Sequence, residues 1–108
     1  MAVRAPKNHA GRFQDAQSKS SLKHEIASEQ ANALGRSGRQ VAMRLRAYRE
    51  ALASGEDHQE DLHQAVEAVY SFLIQRELLG LRDRSAIIRD YDIPREILAR
   101  LGTSGKRY

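Results

Sequence analysis

One spacing constrains this chain more than any other feature. Ala27, Ala31, Leu34, Gly38, Val41, Leu45, Tyr48 and Leu52 follow one another at alternating steps of four and three residues. That period keeps a set of side chains on one stripe of an α-helix, the geometry of a rod packed along a near-parallel or antiparallel neighbour. Leu22 and Ile26 extend the apolar surface toward the start, Ser20 or Ser21 can cap it, and Ser54-Gly55 ends it. Gly35 and Gly38 fall inside the stripe, and Ser37-Gly38-Arg39-Gln40 also reads as the opening of a second helix. The unbroken register favours continuity, at about 1 kcal/mol for each interior glycine. A break at Gly35–Gly38 is the alternative.

Further along, Asp57-His58-Gln59-Glu60 marks a new helix start. The helix it opens runs to about Leu79, with Leu62, Ala65, Val66, Val69, Tyr70 and Leu73 on one face. Phe72, Ile74, Leu78 and Leu79 widen that face, so contacts on more than one side are expected. Gly80 is the expected left-handed stop, with Leu81 the hydrophobic residue beyond it. Asp83 caps a short helix over about 84–91, with Ile87, Ile88 and Tyr91 inward. Pro94 disfavours helix at Ile93 and suits the first turn of a last helix, about 94–101, which buries Ile97, Leu98 and Leu101.

The expected fold is therefore all-α: a long antiparallel helical hairpin capped by two short C-terminal helices. Residues 1–19 read as a disordered basic tail, 20–102 as a single helical domain and 103–108 as a flexible C-terminal tail. At ~1.5 Å per residue the first helix is about 50 Å long and the second about 35 Å. A hairpin of the two leaves roughly 15 Å of the first uncovered near Leu22 and Ile26. Either the short helices fold back onto it or a second copy completes a bundle, and the small core of so short a chain favours the second copy.

Charge is distributed unevenly. Residues 1–24 carry five bases against one acid, residues 55–80 six acids against one base, and the whole chain is +4. A basic tail can meet nucleic acid or an acidic surface, although solvated ends are commoner. With no cysteine, disulfides and thiolate metal sites are excluded, which suits a reducing compartment. No apolar run approaches the ~20 residues of a membrane span, and no hydrophobic signal core follows the basic start. The expected location is the cytoplasm, with no membrane association.

The chemistry-bearing motifs are incomplete. His24-Glu25 begins like HExxH, but the second histidine is replaced by Ser28. His63 and Glu67 stand one turn apart, and two ligands do not make a metal site. Gly35-Arg36-Ser37-Gly38 spells a GxxG loop within a helical period. No nucleotide fingerprint, nucleophile elbow or catalytic acid pair is present, so the expectation is no enzyme, no cofactor, no metal and no catalytic residue. Ile88 to Leu101 reads helix, short turn, helix, as in helix-turn-helix DNA binders. Asp92 stands at the turn position often held by glycine, and Arg95 and Arg100 are placed to reach phosphates or bases. Ile88, where a small residue is usual, and the acids Asp92 and Glu96 weaken that match. Two short helices closing a hairpin is the simpler reading.

The segments HEIASEQANALGRSGR (24–39), FLIQRELLGLRD (72–83) and IIRDYDIPREILARLG (87–102) resemble an uncharacterised, domain-of-unknown-function family of short bacterial helical proteins. The resemblance covers about residues 22–102 and implies an all-helical protein, with no activity or site attached. The function expected is a non-enzymatic helical protein–protein interaction module, a homodimer or the partner of another helical protein. Its dimer stripe is Ala27, Ala31, Leu34, Gly38, Val41 and Leu45. The alternative is a DNA-binding accessory protein using residues 87–101.

Overall fold

A computed structural model describes the backbone of residues 4–105 and the side chains of residues 18–102. Four helices and no strand occur among the described residues: α1 (Arg4–Ser54), α2 (Gln59–Leu78), α3 (Arg84–Asp90) and α4 (Arg95–Gly105). The chain divides into two units, Met1–Ala33 and Leu34–Tyr108.

The first unit is the N-terminal part of α1. The helix starts at Arg4, where disorder to residue 19 was expected; residues 1–3 lie outside the described residues. Pro6 does not interrupt it, because it falls in the first turn, where backbone N–H groups have no partner within the helix. Every described side chain from 18 to 32 is exposed.

In the second unit, residues 34–54 of α1 join α2, α3 and α4 around one apolar core. Val41, Leu45 and Tyr48 meet Leu62, Ala65, Val69, Phe72 and Leu73, and Ile87, Ile93, Ile97 and Leu101 complete the cluster. Burying each large aliphatic side chain contributes about 1.5–3 kcal/mol, the main favourable term in a unit this small. The backbones of α2 and α4 run close to one another over several residues. The C-terminal helices and the turn between them thus contribute Ile87, Ile93, Ile97 and Leu101 to the core. No buried side-chain polar atom among the described residues lacks a hydrogen bond.

Helix continues through Gly35 and Gly38 without a break. The stops are chemical. At Gly55 (φ 74°) the Glu56 N–H reaches back to the Ala51 carbonyl, and at Gly80 (φ 85°) the Leu81 N–H reaches the Arg76 carbonyl at 2.8 Å. Both are six-to-one closures that require a left-handed residue, which glycine adopts without strain. Asp83 accepts from the Ala86 N–H at 3.2 Å and so caps α3, as its position predicted. Asp57 accepts from the Gln59 N–H at 3.2 Å ahead of α2. The last helix continues to Gly105, beyond the expected end near Leu101; residues 106–108 lie outside the described residues.

Candidate functional site

The stripe expected to meet a partner divides between two environments. Ala27 and Ala31 are exposed and Leu34 is half-buried. Gly38, Val41 and Leu45 are buried by their own chain, so they are consumed by the fold and are not surface for a second copy. Gly38 does admit a close neighbour, but that neighbour is a pair of side chains. A β-carbon placed there would stand 2.7 Å from the Tyr91 hydroxyl and 3.4 Å from Phe72. The two rings meet edge to face with centroids 5.6 Å apart.

The surface left open carries several apolar groups. On α1, Lys19, Leu22, Lys23 and Ile26 stand at i, i+3, i+4 and i+7 and therefore share one helix face. Leu22 is 56% exposed and Ile26 50%. On α2, Val66 and Tyr70 pack against the edge of the core and Ile74 is half-buried, whereas Leu78 is 81% exposed. Glu60, His63 and Glu67 lie exposed along the same side. Width in the apolar face of α2 was the sequence signal for these residues. A shallow groove also runs along α1, lined by Ala42, Leu45, Arg46, Arg49, Glu50, Ala53, Asp90 and Tyr91. Sequence reasoning missed it. Its only trace was the 4-3-4 spacing of Ala42, Arg46, Arg49 and Ala53.

Two side chains of α1 hold the α3–α4 segment. Tyr48 is fully buried, meets His58 edge to face, and donates its hydroxyl proton to the Glu96 carboxylate. Burial, then the Glu96 hydrogen bond and charge, push its phenol up to about 12, opposed by nearby Arg100. Arg49 donates to the carbonyls of Tyr91 at 3.1 Å and Asp92 at 2.5 Å. Asp92 itself is left-handed (φ 51°). Arg95 and Arg100 are exposed on α4.

His63 and Glu67 lie 3.1 Å apart on exposed α2 surface, and no group of three His, Asp or Glu residues that could hold a metal occurs among the described residues. No described helix is long and apolar enough to cross a membrane. The displaced titration is that of Tyr48, explained by its place in the core.

These features define a small all-helical protein whose open surfaces are amphipathic helix faces. The chain belongs to the Family of unknown function (DUF6665), which it matches over residues 1–107. No curated protein and no solved structure matches it.

Proposed function

We propose that this protein is a non-enzymatic helical interaction module, working in the cytoplasm and assembling as a homodimer. The observation that carries the reading is the exposed stretch of α1. From residue 18 to 32 every side chain is open, yet Leu22 and Ile26 share one face. A helix standing alone in water is marginal even with a favourable sequence, and most helical stability comes from packing an apolar face. A partner helix laid on that face supplies the packing. The absence of cysteine fits a reducing compartment.

Sedimentation equilibrium over a wide concentration range tests the reading. Twice the 12.2 kDa chain mass, approached as concentration rises, is the expected result. A monomer throughout removes the homodimer.

A second reading is favoured by a separate observation, the left-handed Asp92 between α3 and α4 with Arg95 and Arg100 exposed beyond it. In that reading the protein is a DNA-binding accessory factor, with α4 entering the major groove. Glu96, one of the two opposing acids, accepts the hydrogen bond from Tyr48. Duplex binding across a salt series decides: affinity should fall steeply with salt and weaken on replacing Arg95 and Arg100. Absence of binding at low salt ends this reading.

A further inference from the structure

We infer that the outward face of α1 between Gly35 and Ala53 docks an acidic amphipathic helix of a partner protein, laid in line with α1. The inference rests on the interaction-module reading and names a partner class for it. It is independent of the homodimer, because it uses no residue before 35.

Charge is the first argument. Residues 34–54 carry five arginines and one glutamate. None of those arginines is in an ion pair with a described residue. Arg39, Arg46 and Arg49 are exposed at steps of seven and three residues, which puts them on one side of the helix. Arg49 also donates to the Tyr91 and Asp92 carbonyls, which neutralise none of its charge. Of the two acids lining the groove, Asp90 is paired with Arg89 at 3.6 Å, leaving Glu50 against three guanidinium groups. Such a surface attracts an anionic occupant.

Shape is the second argument. Gly35, Arg39, Ala42, Arg46, Arg49 and Ala53 alternate by four and three residues, a stripe set one residue on from the core stripe. All six are exposed. Small residues recur between the arginines, so a neighbouring backbone can approach, and the stripe includes lining of the groove of about 650 Å³. Met43, 52% exposed, adds apolar surface one turn from both Arg39 and Arg46. Apolar surface interleaved with the arginines, and the carboxylate of Glu50, suit a protein helix better than a run of phosphates. Arg39 and Arg46 stand seven residues apart, about 10.5 Å along the axis, so acids at the same spacing on the partner meet both.

Fluorescence anisotropy tests the surface with three labelled probes. One is a helical peptide of three heptads with leucine on a 4-3 stripe flanked by glutamate; the others are its lysine-for-glutamate counterpart and a DNA duplex. The glutamate peptide should bind, more weakly as salt is added, and the lysine peptide should not. Arg39→Glu/Arg46→Glu changes two exposed residues, so circular dichroism should report an unchanged fold. The double variant should bind the glutamate peptide roughly tenfold or more weakly, and the lysine peptide better than the wild type does. Ala42→Trp fills the stripe without altering charge and should weaken the glutamate peptide by a similar factor. Failure of the glutamate peptide to bind, or binding that either variant leaves unchanged, would overturn the proposal. So would a duplex bound through the same arginines in the peptide's place. Those results leave the homodimer of the sedimentation experiment standing, and a monomer there leaves this face standing.

Discussion

The Tyr91 hydroxyl occupies the space that a β-carbon on residue 38 would need, 2.7 Å from it, so Gly38 and Tyr91 are fitted to one another across α1 and the end of α3. The helix tolerates a poor helix former at residue 38 because a ring fills the notch it leaves.

That fit gives a paired prediction. At Gly35 a β-carbon would meet only Arg39 Nη1, at an ordinary 3.5 Å, so Gly35→Ala should stabilise by about 1 kcal/mol through helix propensity. Gly38→Ala should instead destabilise, since crowding in a packed region costs about 1–3 kcal/mol and outweighs the same gain. In a Tyr91→Phe background the 2.7 Å contact is removed and Phe72 at 3.4 Å is left. The Gly38→Ala penalty should shrink there by about 1 kcal/mol, measured as a double-mutant cycle in urea.

Tyr48 and Glu96 set an alkaline limit on stability. The phenol titrates near 12 in the folded chain against an ordinary value of 10, so the unfolded chain releases this proton first as pH rises. The contribution is complete below pH 10 and is lost between pH 10 and about 12. At ~1.4 kcal/mol per pH unit it is on the order of 2–3 kcal/mol. Urea melts across that range should show the loss in the wild type and a shallower one in Tyr48→Phe. Glu96→Gln should bring the phenolate absorbance change to lower pH.

Asp92 holds a left-handed backbone, which costs an L-residue roughly 1–2 kcal/mol. Asp92→Gly should be neutral or stabilising by up to about 1 kcal/mol. Asp92→Val should lower stability by more than 1 kcal/mol, on the order of the strain of a branched residue there. Thermal melts of the pair separate backbone strain from loss of the aspartate side chain, because both variants lose the carboxylate.

Much of this architecture was legible in the residues. The stripe through Val41, Leu45 and Tyr48, the stop at Gly80 and the cap at Asp83 are local signals, each read from spacing and turn chemistry. The start of α1 at Arg4 was not legible because residues 4–19 lack an apolar period. Tertiary pairing was harder to read. Nothing in the sequence reveals that Tyr91 fills the notch at Gly38, that Tyr48 finds Glu96, or that α2 runs close to α4. Each depends on partners far apart in the chain, 48 residues for Tyr48 and Glu96. The candidate site was half legible for the same reason. Leu22 and Ile26 stood out as uncovered, whereas Gly38, Val41 and Leu45 were assigned to a partner when their own chain buries them.

Amide hydrogen exchange of residues 18–33, followed from dilute to concentrated protein, probes the exposed stretch of α1 directly. If that stretch is an interface, its amides exchange quickly when dilute and become protected as concentration rises, while the amides of residues 41–48 stay protected throughout. Fast exchange of residues 18–33 at every concentration would contradict the account.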